Sequence, residues 1–229
     1  MMLKLSMLKP SPNSMTVRMF LRASGLPYEE ADVWGHTRSP EFLAKCPAHM
    51  TPLLESADLP RQALWESCAI VQYLCNKHGL TKFYPTDPAK RAMIDSAMFY
   101  HTGTLYPLIS RATYPALGFP AYPGEVGASD ASREDKAKAQ KQAIDAIAEP
   151  LNVFKVFYLG DNKFIGGDTP SIADMRVAST LEFLAAIDYP LPAWTKAYIA
   201  DMESALGQAY LEPAGDVRGY VSYAKSQKK

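Results

Sequence analysis

The rhythm of apolar and polar positions changes once along the chain. Leu3 to Leu8 (LKLSML) alternates with the two-residue period of a strand. Lys9-Pro10-Ser11-Pro12-Asn13 is a turn by composition. From Met15, the positions Val17, Met19, Phe20 and Leu21 predict a buried helix that stops at Gly25, with Pro27 just beyond. Tyr28 to Val33 is a second strand candidate, and Ser39-Pro40-Glu41 opens a short helix with a cap and a proline at its first position. Pro52-Leu53-Leu54, a turn from Ala57 to Arg61, Ala63-Leu64-Trp65 and a helical pattern through Ile70, Val71, Tyr73 and Leu74 follow. The resulting β-α-β-α-β-β-α order predicts a mixed sheet with helices on both faces and a right-handed crossover.

Gly79 to Pro88 carries two prolines and interrupts the pattern, as a linker does. Beyond it only the helical period remains. Asp87-Pro88 opens a long helix through Ile94, Ala97, Met98, Leu105 and Ile109, with a bend expected at Gly103 or Pro107. Phe119 to Asp130 reads as a loop, and Ala131 to Leu159 as a second long helix bent by Pro150. Ser171-Ile172-Ala173-Asp174 has the spacing of a capping box, with Pro170 and Met175 placed as a hydrophobic staple. The division is therefore a thioredoxin-like α/β domain over residues 1–80, a linker at 81–86 and an all-helical domain over residues 87–229.

Composition narrows the function classes. The 229 residues hold 24 Lys+Arg against 24 Asp+Glu, and no basic patch or basic amphipathic stripe argues for nucleic acid or a membrane surface. No apolar run approaches the roughly 18 residues of a membrane span, and MMLKLSMLKP is too short and interrupted for a signal peptide. Cys46, Cys68 and Cys75 show neither CxxC nor metal-ligand spacing, which suits a reducing cytoplasm and predicts no metal. Cys68 and Cys75, seven apart on one helix face, read as core packing. Residues 11–14 contain no cysteine, so dithiol exchange at the first helix start is excluded.

Candidate chemistry gathers between His49 and Leu74. Thr51-Pro52 stands at the mouth of a strand, where proline cannot join the ladder and where an X–Pro bond can be cis. There the residue before it offers its N–H and C=O to an extended peptide. Glu66-Ser67 opens the next helix, with Ser67 expected as N-cap and free N–H groups suited to a carboxylate. Together the two handles suit a short peptide with a terminal carboxylate. Ser11-Pro12-Asn13-Ser14 offers hydroxyl and amide groups at the first helix N-terminus, where a donor and the helix dipole would favour a thiolate.

The order Pro52-Leu53-Leu54 followed by Glu66-Ser67-Cys68-Ala69-Ile70 resembles the cytosolic glutathione transferases over nearly the whole chain, most closely the serine-type delta and theta classes. The resemblance implies glutathione as co-substrate, its thiolate adding to small apolar electrophiles, in a two-fold homodimer. A glutathione-binding module without turnover and an assembly scaffold are the alternatives. Ser11, counted back from Gly25-Leu26-Pro27, falls on the family's catalytic serine; Ser14 is its rival. The Ser11-Pro12-Asn13 run also resembles the Thr-Pro-Asn of nu-class members, which implies a helper role for Asn13. His49, Met50, Thr51, Pro52, Glu66 and Ser67 are implied for glutathione, with His49 at the glycine end. Pro12, Tyr106, Ile109, Tyr114 and Phe119 are implied for the electrophile, in an aromatic wall that also takes in Tyr100. His101 stands where delta-class proteins place an acid reaching the partner subunit, and Cys68 replaces a family arginine. Asp174 is implied to be structural.

Overall fold

The computed structural model describes residues 2–119 and 132–227. Most of the expected loop from Phe119 to Asp130 lies outside the described residues, as do Ala131, Lys228 and Lys229. The order of the first half is β1 (Leu3–Met7), α1 (Pro12–Ser24), β2 (Tyr28–Asp32), α2 (Pro40–Lys45), β3 (Leu53–Glu55), β4 (Ala63–Trp65) and α3 (Ser67–His78). The sheet runs β2-β1-β3-β4, with β1 parallel to β2 and the other pairs antiparallel. Alternation in β1 does what it predicts: Leu3, Leu5 and Met7 enter the core. Helix α1 starts because the Ser11 side chain accepts the Ser14 N–H and Pro12 is pre-set for a first turn. It stops because Gly25, at φ 69°, takes the left-handed conformation that glycine adopts without penalty.

The second half is helical, and the α-helical hydrogen bonding is interrupted near both expected bends. Helix α4 (Pro88–Tyr100) passes through a π turn at His101–Leu105 into α5 (Tyr106–Leu117), so the interruption holds Gly103 and ends just before Pro107. Helix α6 (Arg133–Ala146) breaks at Ile147 before α7 (Ala148–Val153) and a π turn at Phe154–Leu159. The break falls upstream of Pro150 because that residue has no N–H for the carbonyl four positions earlier. Helix α8 (Ile172–Leu181), a tighter turn at Glu182–Ile187, α9 (Ala193–Leu206) and α10 (Gln208–Ser226) complete the chain.

One core runs through both halves, from Leu5, Phe20 and Leu74 to Ile94, Leu105, Val177 and Val217. The segment expected as a linker is packed accordingly. Phe83 and Tyr84 are buried, Phe83 meets Phe20 edge-on at 5.7 Å, and the Phe83 carbonyl accepts the Ile172 N–H at 3.1 Å. Helix α8 sits at the centre of the helical half, with every residue buried. Its start is the expected capping box, and Asp174 does more than close it. That carboxylate accepts from the Ser171 N–H and O–H, both at 2.7 Å, from the Ile165 N–H at 2.7 Å and from the Tyr198 O–H at 2.8 Å. The fold confirms Asp174 as a buried tie between a loop and two helices.

Candidate functional site

A cleft of about 700 Å³ opens where the N-termini of α1 and α3 face α5 and α8. Its walls take Ser11, Pro12, Asn13, His49, Met50, Thr51, Pro52, Glu66 and Ser67 from the first half. From the second half come Tyr106, Tyr114, Phe119 and Arg176. Sequence-distant groups thus meet in one volume large enough for a tripeptide and a small apolar molecule.

At the α1 end, Ser11 accepts the Ser14 N–H at 3.3 Å, so its own O–H is free to donate. Ser14 is different. It is fully buried and its Oγ accepts the Leu8 N–H at 3.2 Å, tying β1 to α1. The rival serine is therefore a packing and turn residue, and Ser11 is the hydroxyl that lines the cleft. Asn13 Nδ2 donates to Tyr106 Oη at 2.8 Å, which binds the first helix to the second half of the molecule. Asn13 Oδ1 is buried with no partner among the described residues.

The glutathione-type handles stand as follows. The Thr51–Pro52 peptide is cis. The Thr51 N–H and C=O make no hydrogen bond among the described residues. His49 and Met50 are exposed on the rim. One sequence expectation is corrected here: Ser67 is the first residue of α3, and the N-cap is Glu66, at φ 71° and without a side-chain cap bond. Glu66 turns the chain at the helix start, which leaves the Ser67 N–H and hydroxyl facing the cleft.

Across the cleft, Tyr106 Oη and Tyr114 Oη are 2.8 Å apart and extend the bond from Asn13 into a chain of three. Burial, then the adjacent Tyr106, pushes the Tyr114 phenol up, so it stays protonated. Phe119 meets Tyr114 edge-on at 5.4 Å and stacks on Tyr220 at 5.3 Å, while Trp34 covers both Phe119 and Tyr220.

Several expectations fail, each for a packing reason. Ile109 faces the core on α5, fully buried, and forms no part of the cleft wall. Tyr100 turns away onto Phe154 and Tyr158, with centroids 5.6 and 5.9 Å off. His101 cannot reach a neighbouring subunit: it is fully buried in the π turn, with Nε2 3.0 Å from Thr180 Oγ1 and its ring stacked on Tyr106. Cys68 packs against the core only in part. It lines the cleft, 3.8 Å from Thr102 Oγ1, whereas Cys75 is buried. Cys46 is buried too, its thiol 3.6 Å from the Met50 carbonyl.

Trp34 and Arg176 are cleft residues that the sequence did not reveal. Trp34 follows a strand in a loop without periodicity. Arg176 sits in a wholly buried helix, where a lone cation between Met175 and Val177 breaks the apolar run; that break was the available signal.

Residues 5–82 match the family Glutathione S-transferase, N-terminal domain, and residues 130–200 match Glutathione S-transferase, C-terminal domain. The chain is 27% identical over 187 residues to glutathione S-transferase D6 of Drosophila melanogaster, covering 79% of this chain and 77% of that protein. Among solved structures it is similar to the Bombyx mori glutathione transferase BmGSTD1, at 28% identity and a TM-score of 0.74, over 98% of this chain and 97% of that one. It is similar too to a delta-class glutathione transferase of Nilaparvata lugens, at 25% identity and a TM-score of 0.72, over 97% and 99% of the two chains.

Proposed function

From the premise that the chain belongs to the cytosolic glutathione S-transferase superfamily, we propose that it binds glutathione across the N-termini of α1 and α3 and adds its thiolate to small apolar electrophiles. The observation that carries this reading is the convergence of Ser11, Thr51 and Ser67 on one cleft walled opposite by Tyr106, Tyr114 and Phe119. Ser67 and its N–H take the γ-glutamyl carboxylate at the positive end of α3. Glu66 takes the amine, the Thr51 main chain takes the peptide backbone, and His49 stands at the glycine end with Met50 and Pro52 alongside. Ser11 then donates its O–H to the sulfur. A free thiol near pKa 8.5 is mostly protonated at neutral pH; a donor and a helix N-terminus both favour the anion, which is the nucleophile. Asn13 positions this end of the site by its bond to Tyr106. The thiol proton passes to solvent in the open cleft, the new bond joins sulfur to the electrophilic carbon, and the leaving group departs with its electron pair.

The same reading divides the chain into residues 1–80 for glutathione and residues 87–229 for the electrophile, joined at 81–86. It gives the protein a detoxifying role in the cytoplasm as a two-fold dimer. Exposed apolar side chains at Phe99 on α4 and at Val156 and Phe157 in the adjacent π turn support assembly.

Retention on immobilised glutathione together with conjugation of 1-chloro-2,4-dinitrobenzene tests the activity. Binding without turnover would select a carrier, and neither would sink the reading. Sedimentation tests the dimer: the expected species has twice the 25.3 kDa chain mass at micromolar concentration.

A further inference from the structure

Among the described residues, Arg176 is a buried cation without a counter-ion. Only 2% of the residue is exposed, yet it contributes to the cleft wall. Its guanidinium carbon sits 4.6 Å from the centroid of the Tyr106 ring. Nη1 donates to Thr180 Oγ1 at 2.9 Å; Nε is buried with no partner, and no carboxylate lies within ion-pair distance among the described residues. A guanidinium has five N–H groups in a fixed fork, and burying a charge without pairing it is costly.

The described residues around it offer no anion. Thr180 donates its own O–H back to the Arg176 carbonyl at 3.2 Å, so its oxygen receives from both Arg176 and His101 Nε2. His101 is then neutral with Nδ1 bare, in keeping with burial and the nearby guanidinium, which hold its pKa well below the ordinary value. Tyr114 is kept protonated mainly by burial. The other arginine in the cleft, Arg38, is exposed on the rim and solvated. By contrast, the buried Arg18 of the same molecule is flanked by two carboxylates, Glu30 at 3.1 Å and Asp216 at 2.8 Å. Among the described residues, then, the cleft supplies Arg176 no anion of its own.

We propose that Arg176 is a specificity residue for the second substrate, selecting small aromatic molecules that carry a carboxylate or sulfonate, whose anionic group pairs with the open edge of the guanidinium beside Tyr106. That the ligand is a second substrate rests on the glutathione transferase reading; that an anion is preferred at Arg176 does not. A charge-assisted hydrogen bond in a desolvated site is about twice as strong as a neutral one, and Trp34 and Phe119, which line the same cleft, supply aromatic surface for the ring.

Equilibrium dialysis of 4-nitrobenzoate and its neutral isostere 4-nitrobenzamide, with and without excess glutathione, tests this on the whole protein. The benzoate is expected to bind roughly tenfold tighter or better. Arg176→Met should bring the two ligands to equal affinity, and Arg176→Lys should keep only part of the preference, since lysine lacks the fork. Equal affinities in the unmodified protein would overturn the proposal, as would a preference that survives Arg176→Met. Should Arg176→Met not fold, Arg38→Met replaces it: a preference that persists there supports Arg176, and one that vanishes places the anion on Arg38 and overturns the assignment. Retention on glutathione resin is scored separately, so the loss of the transferase reading would show there and not in the benzoate ratio.

Discussion

At the residue scale, two serines three positions apart have opposite fates, and the difference is testable. Ser11 lines the cleft with its proton unspent, while Ser14 is buried under Leu8. Ser11→Ala is expected to lower turnover by roughly tenfold while leaving glutathione affinity nearly intact. The apparent pKa in the pH–rate profile should rise toward the about 8.5 of a free thiol. The rate loss stays below the loss of thiolate, because a more basic sulfur is a better nucleophile. Ser14→Ala should leave that pKa in place and lower the thermal midpoint instead; the reverse pattern would move the chemistry to Ser14. Ser67→Ala should raise the KM for glutathione far more than it lowers kcat, since its contact is present before and during reaction. Cys68 offers an independent probe of the same cleft. Iodoacetamide should label it first and glutathione should slow the labelling, because Cys46 and Cys75 are buried and burial pushes the Cys75 thiol up to about 12. Labelling of Cys75 ahead of Cys68, read by peptide mass, would contradict the packing around α3.

At the element scale, regular patterns were legible and side-chain direction was not. The alternation of LKLSML, the Gly25 stop, the helix interruptions at Gly103 and before Pro150, and the Ser171–Asp174 box all follow from local rules that tertiary contacts leave intact. The order of elements before Gly79 followed from them, whereas the meeting of Ser11, Thr51 and Ser67 was implied by the family resemblance. What local rules cannot give is rotation about a helix axis. Ile109 and Tyr106 share α5 three residues apart, yet one packs into the core and the other faces the cleft. His101 falls on the same helical stripe as Ile94, Ala97 and Met98 and is buried with them, so the expectation that it reaches a neighbouring subunit ran against the 3.6-residue count. Ser67 was misplaced by one position because Glu66 takes a positive φ that propensity assigns to glycine. The capping box carries its own expectation. Asp174→Asn keeps the shape but replaces one acceptor oxygen with a donor facing N–H and O–H groups. It should cost about 3 kcal/mol of unfolding free energy, as buried donors lose their partner, with little change in the KM of the protein that folds. Gly166 supports the same tie, since a Cβ there would lie 2.6 Å from the Thr169 carbonyl oxygen. A loss below about 0.5 kcal/mol in urea unfolding would show that the carboxylate is not what holds α8.

At the scale of the whole molecule, the two halves are joined by more than the packed segment at Phe83. Arg18 and Arg22 project from α1 to Glu30 on β2 and onward to Asp216 and Glu212 on α10, so the first helix, the edge strand and the C-terminal helix are linked by charge. The pair from Arg22 to Glu212 is half exposed and adds little. Arg18 is the strong member, because its guanidinium is buried and would be stranded without its carboxylates. Burial of Glu30 opposes its ionisation, but hydrogen bonds from Arg22 and Arg18 outweigh that and hold its carboxyl down at about 2 against an ordinary 4.5. Since the folded value lies below the unfolded one, the stability Glu30 contributes is complete above about pH 4.5 and is lost as the pH falls toward 2. Stability curves of the parent protein and Glu30→Gln should therefore be well separated at pH 6 and converge on acidification through that window. The glutamine variant should lose hydrogen-exchange protection in α10 at neutral pH before it loses any in α8, since α10 is held through Arg18 while α8 has its own box. A constant gap between the two proteins from pH 6 to pH 2 would mean that Glu30 acts through shape rather than charge. Equal protection of α10 in both would mean that the apolar core alone seats the last helix against the first.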